Sequence, residues 1–357
     1  MDLLTAPASA SAPSDPQPSA EATPRQRGTL AVLVLWIAIG LAVDTRRHRT
    51  DRSLDTFFTS AHALLYTGWV AAAVFLLYVA RKRQERGQRA IAPGLEAASA
   101  GAVLFGIGGI GDLIWHTVFG IEVQLKILFS PTHLLLMSAM LMISFGPVRS
   151  LWLSTERSTF ARLWPAVLSS GVITSVLLVF FQYVSTFESG IFTVDIPRLM
   201  GLDEVLRVQS IAGVVILTVL FFGPLLLLAR RWRLPFGSAT LAFAVPAVCN
   251  YIFTDFKTVR LSLAIVLGGV AADVVMSSAH RAACARARVA FRLSGALAPL
   301  AFWLTYVLMT VPGEQLRWPA ELWTGTLVWS ALVGLGITAL VLPPVDTPTT
   351  WLDATAR

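Results

Sequence analysis

Four of the five histidines in this 357-residue chain fall into two sets of matching type and spacing. Asp112 is followed at the fourth position by His116, then by Glu122 and His133; Asp44 is followed in the same way by His48, then by Asp55 and His62. The offsets between corresponding members are 68, 68, 67 and 71 residues. Phe58-Thr59-Ser60-Ala61-His62 also matches Phe129-Ser130-Pro131-Thr132-His133 in position, which marks the two stretches as an internal repeat. Two imidazoles with a carboxylate suit Cu(II), Zn(II) or non-haem Fe(II), whereas Ca2+ and Mg2+ favour oxygen-only shells. Such groups beside hydrocarbon are costly unless paired or metallated, so both sets are candidate ligands. The competing reading has Asp112 and His116 closing a helix end, bonded to each other and touching water. Matching of four polar positions between two stretches argues against it.

On a helix, residues four apart share one face, so each Asp-His pair can act together. Both pairs stand where an outward-going helix ends, and the second histidine of each set opens the returning helix. Each helical hairpin can thus gather a carboxylate and two imidazoles at one rim, with Asp55 or Glu122 as a further ligand or hydrogen-bond acceptor.

The elements that must position these side chains are apolar. The chain is 55% hydrophobic and 14% charged, and apolar runs recur between short Arg-rich connectors, as in polytopic membrane proteins. Candidate spans are 28–43, 57–80, 95–116, 130–147, 163–185, 208–229, 237–253, 258–279, 294–312 and 322–342. The expected fold is an all-α transmembrane bundle of about ten spans. A Pro-, Ala- and Ser-rich disordered cytoplasmic tail covers 1–27, the paired hairpins 28–147, the remaining bundle 148–343 and a second cytoplasmic tail 344–357.

With both termini in the cytoplasm, 18 of the 28 basic residues lie inside, and the outer connectors together with the span ends that border them hold 10 basic against 12 acidic ones. The asymmetry favours this orientation in a plasma or inner membrane, although Arg46, Arg47, Arg49 and Arg52 crowd the first outer connector. They would repel a cation unless directed toward lipid headgroups or acidic partners. A net charge of +7 spread over many connectors speaks for membrane orientation rather than nucleic-acid binding. Cys249 and Cys284 fall near opposite faces, which excludes a disulfide between them. No Ser-His-Asp nucleophile arrangement, phosphate loop or HExxH motif is present. Gly106 to Gly111, "GIGGIG", lies inside an apolar helix with no preceding strand and predicts close helix packing.

The two segments resemble the C-type subunit of the membrane-bound copper methane and ammonia monooxygenases. "HTVFGIE" with "LFSPTH" is similar to its second ligand segment, and "DTFFTSAH" after "DTRRH" to its first. The likeness covers about residues 40–70 and 108–138. It implies copper held by Asp112, His116 and His133 and by Asp44, His48 and His62, and support for oxidation of a small apolar substrate by a larger membrane assembly. Whether this chain itself catalyses stays open, because ligand sets alone do not establish an activity.

A permease for a metal or small solute is the alternative, with Pro246, Asn250, Asp255 and Asp273 lining a polar route. A structural subunit with closed metal coordination is a third. Asp273 and His280 share a helical face, which admits a proton relay or an Asp held by Ser, Arg or water. Connector 186–207, with Glu188, Asp195, Arg198, Asp203, Glu204 and Arg207, reads as a solvated segment or a cover over the rim. Tyr66, Trp69, Trp115, Trp318 and Trp323 are expected in interfacial belts. The lipid bilayer and other membrane subunits are the expected partners.

Overall fold

The computed structural model describes residues 21–50, 57–120, 126–154, 159–188, 191, 202–282, 287–312 and 316–342. The described residues form an all-helical bundle. Its elements are α1 (Pro24–Thr50), α2 (Ser60–Gln84), α3 (Glu96–Phe119), the single turn α4 (Lys126–Phe129), α5 (Pro131–Trp152) and α6 (Phe160–Phe180). After a short 3-10 turn (Gln182–Val184) come α7 (Leu202–Arg231), α8 (Ser238–Phe253), α9 (Val259–Ala282), α10 (Ala287–Thr310) and α11 (Ala320–Val341).

Among the described residues, nine helices are long and apolar enough to cross a membrane. The chain is a multi-pass membrane protein. α8 corresponds to the seventh expected span but has 16 residues, or about 24 Å of rise against a hydrocarbon core of about 30 Å. Its end is fixed by local backbone. Asp255 and Phe256 take the left-handed region, φ 58° and 60°, which breaks the helix two residues after Phe253.

α1 begins at Pro24, inside the segment expected to be a tail, and runs to Thr50, beyond the expected end at 43. A capping box explains the early start: Gln26 N–H donates to Thr23 Oγ1 at 3.2 Å, and Thr23 N–H donates to Gln26 Oε1 at 2.8 Å. The late end keeps Asp44 and His48 on one helix. Residues 1–20 and 343–357, which hold most of both tails, lie outside the described residues.

α3 shows how a span presents the site. Val103, Ile107, Ile110, Ile114 and Val118 are all more than half exposed along one stripe, the face a lipid chain would cover. The opposite stripe, Ala98, Gly101, Ala102, Phe105, Gly108, Asp112 and His116, is buried. Its glycines admit neighbours closely: Gly101 lies against α5 at Ala139 and Met142, Gly106 under Trp69, Gly108 against Leu136 and Gly109 against Tyr66. α3 packs along α5, and α1 packs on α2, α5, α6 and α8. One apolar cluster joins α1, α2 and α3, a second joins α7, α9, α10 and α11, and α5, α6 and α8 contribute to both.

Candidate metal centre

Each hairpin holds its histidines by the same device. Thr59 caps α2 and Ser130 caps α5, the hydroxyl of each accepting from the backbone N–H of His62 (3.1 Å) and His133 (3.4 Å). Pro131 opens α5, where its fixed φ suits the first turn. The second histidine of each set therefore stands in the first turn of the returning helix, facing the Asp-His pair on the last turns of the outgoing one. Gly120 ends α3 at φ 80°, a conformation that favours glycine, and its carbonyl turns back toward His116 Nδ1 at 3.4 Å.

In the first set His62 Nε2 lies 3.3 Å from Asp44 Oδ1 and His48 Nε2 lies 3.7 Å from Asp44 Oδ2. In the second His133 Nε2 and His116 Nε2 lie 3.5 Å from Asp112 Oδ1 and Oδ2. Within each set one ligand atom from every residue falls within 4.8 Å of the others. An imidazolium bonded to a carboxylate would sit at about 2.7–2.9 Å. Two donors bound about 2.0–2.1 Å from one ion at a tetrahedral angle are roughly 3.3–3.4 Å apart, and at 120° roughly 3.6 Å. The observed separations match the edges of a coordination polyhedron better than those of hydrogen bonds.

The imidazole tautomers agree with that use. Nδ1 of His62 faces the carbonyl of Phe57 and Nδ1 of His116 faces that of Gly120, and a carbonyl can only accept. Nδ1 therefore donates, which leaves Nε2, turned toward the carboxylate, as the atom a metal would bind once it is free of a proton. His133 Nδ1 is held by Ser130 Oγ at 2.6 Å.

The two sets form one cluster. His48 lies 6.4 Å from His116 and His62 lies 6.5 Å from it, ring centre to ring centre; within the sets the spacings are 5.8 and 5.6 Å. Phe57 covers His62 at 4.6 Å and His116 at 6.1 Å, touching both sets. Asp44, His62, Asp112 and His116 are buried, while His48 and His133 are partly open. Asp55 and Glu122 lie outside the described residues.

No family model, curated protein or solved structure matches the chain. The site therefore stands on its geometry.

Two of the arginines beside His48, Arg46 and Arg49, are turned to acidic partners. Arg46 bonds Asp255 through Nε at 2.8 Å and NH2 at 2.7 Å and lies over the Phe256 ring. Arg49 grips both oxygens of Glu188 at 2.8 Å and donates to Gln182 at 3.2 Å. Arg52 lies outside the described residues, as do most of connector 186–207 and Cys284. Lys257 and Arg46 beside Asp255 hold its carboxyl below the usual carboxylate range.

Several functional neighbours carried no signal at the distance scale of a motif. Tyr66 and Trp69, expected in an interfacial belt, pack inward beneath the cluster. Tyr66 lies 6.2 Å from His62, and Trp69 Nε1 donates to Ala102 O at 2.8 Å. The glycines of α3 leave the room these rings fill. Trp318 is likewise buried. Thr132 donates to Asp112 Oδ1 at 2.9 Å.

The residues of the expected polar route have structural partners. Asp273 accepts from Ala239 N–H at 3.0 Å, Thr240 N–H at 2.9 Å and Thr240 Oγ1 at 2.7 Å, supplying the N-terminal cap that Gly237 cannot. Asn250 donates to Phe187 O, Thr258 and Ser262 at 3.2–3.3 Å. The side chain of His280 lies outside the described residues.

Proposed function

We propose that this chain is an integral membrane protein that binds two transition-metal ions, copper first, in adjacent Asp-His-His sets, with zinc or non-haem iron as the alternatives. One observation carries this: two independent hairpins each bring a carboxylate and two Nε2 atoms to 3.3–3.7 Å, the spacing of atoms that share an ion. Matching caps and matching ligand positions in both hairpins support descent from a duplicated segment.

Asp44, His48 and His62 would hold one ion and Asp112, His116 and His133 the other. Copper there would supply redox chemistry. The chain's own part is to orient the imidazoles through Phe57, Gly120 and Ser130, and to hold the charges of Arg46 and Arg49 on Asp255 and Glu188. The likeness to the C-type subunit of the copper methane and ammonia monooxygenases extends this to support for oxidation of a small apolar substrate within a larger membrane assembly. Charge asymmetry between the connectors supports a cell-membrane location with the N-terminus inside and the cluster at the outer rim; the C-terminus lies inside as well if the short α8 crosses as a tenth span.

Against a permease stands the engagement of Asp273 and Asp255, the two ionisable residues expected on that route, with neighbouring backbone and side chains.

The test is elemental analysis of detergent-purified wild type against His116→Ala, His133→Ala and His48→Ala. Two copper equivalents in wild type and about one in each variant are expected. Near-zero metal in all four proteins would end the proposal.

A further inference from the structure

The two sets share ligand types but not surroundings. At the tip of the second hairpin Thr132 donates its hydroxyl to Asp112 Oδ1 at 2.9 Å. The matching position of the first hairpin is Ala61, which has no hydroxyl to give. Asp112 is also the more enclosed carboxylate, 1% exposed against 8% for Asp44. The Thr132 methyl is on the side of α3 at Gly111, 3.5 Å from where a Cβ on that glycine would stand.

A hydrogen bond of this kind does two things to a metal-binding carboxylate. It selects the rotamer that aims both oxygens at the histidines, and it removes side-chain freedom that would otherwise be lost when the ion binds. Asp112 is so prepared, with Oδ1 and Oδ2 each 3.5 Å from a different Nε2. The Asp44 oxygens are less evenly placed, at 3.3 and 3.7 Å.

Building on the two-ion reading above, we propose that Thr132 is a positioning residue that makes the sites unequal: the Asp112 set loads first and tightly, and the Asp44 set second and exchangeably. Partners one step beyond the ligands are worth roughly 10–100-fold in metal affinity, and that is the separation expected between the two binding steps. A permanently held ion would then sit beside one that can leave, separated by the facing rings of His48 and His116.

The full chain in detergent, stripped with a chelator, is titrated with Cu2+ against a competing chelator. Wild type should take up two equivalents in steps separated roughly 10–100-fold, with the tight step missing from His133→Ala and the weak step missing from His62→Ala. Thr132→Val keeps the shape and removes the hydroxyl; it should bring the tight step down to the level of the weak one and leave the weak step unmoved. Thr132→Ser should restore the gap. Metal-free Thr132→Val should melt somewhat below wild type, because it leaves the buried Asp112 carboxylate one hydrogen bond short; the unmoved weak step separates positioning from general destabilisation. Two equal steps in wild type, or a Thr132→Val variant that shifts both steps alike, would overturn the inference while leaving the two-ion reading intact. Absence of any copper uptake by wild type would instead remove the reading on which it rests.

Discussion

The imidazole rings of His48 and His116 face each other at 6.4 Å with their planes 24° apart, one from each hairpin. They form the wall shared by both ligand sets. Ions held on either side of such a wall would be close enough to sense each other's unpaired electrons. With Cu(II) in both sets, the electron paramagnetic resonance spectrum should show dipolar broadening and a half-field transition. His48→Ala, holding one ion, should give the sharp spectrum of an isolated centre. An unbroadened spectrum from the two-copper wild type would show that the sets are not loaded as neighbours.

Much of this centre was legible in the sequence, because its information is local. A spacing of four on a helix fixes which side chains share a face, and the second histidine of each set was expected to open the returning helix. The facing of the two sets was not legible. It depends on α1 packing beside α5 while α3 packs along it, and no residue within either motif encodes that. The arginine partners lie 209 and 139 residues away, at Asp255 and Glu188. Tyr66 and Trp69 look like belt residues until the glycines of α3 are placed against them. The length of α8 was legible too, since the apolar run expected over 237–253 ends where the helix does, at Phe253; the left-handed turn beyond it was not, because Asp255 and Phe256, which make it, are not glycines.

Asp273 gives the clearest separation of structure from transport. Its carboxylate receives three hydrogen bonds at the start of α8 and is 3% exposed. Asp273→Ala should lower stability by about 1.5–3 kcal/mol, as expected for hydrogen bonds to a buried charged group, measured by thermal unfolding in detergent. Copper content should stay at the wild-type level. A variant of normal stability that lost solute uptake would instead favour the permease.

The pair between Arg46 and Asp255 makes stability depend on pH at the same rim. Lys257 and Arg46 depress the Asp255 pKa in the folded chain. A carboxylate lowered in this way stabilises the fold above its unfolded pKa of about 3.9 and loses that contribution as pH falls through the folded value. Wild type should therefore melt above Asp255→Asn at pH 6, and the two midpoints should converge as the pH is taken down below about 4. The gap should be small, because the Arg46 and Asp255 side chains are 37% and 28% exposed to screening solvent. A gap that stays constant down to the lowest pH would assign the effect to something other than the charge.

The far side of the bundle offers a packing test independent of any metal. α10 and α11 meet backbone to backbone at Gly295 and Gly334, where a Cβ on Gly334 would collide with the Gly295 carbonyl oxygen. Neither backbone can yield without parting the helices. Gly336, two residues further along α11, has nothing within 4 Å of the same added atom. Gly334→Ala should therefore cost at least about 1–3 kcal/mol as an overpacked contact. Gly336→Ala should be neutral or gain up to about 1 kcal/mol from helix propensity. Thermal unfolding of the two variants side by side checks this, since they differ only in where one methyl group sits. Equal melting temperatures would mean that α10 and α11 do not approach at Gly295, and the second apolar cluster would have to be packed another way.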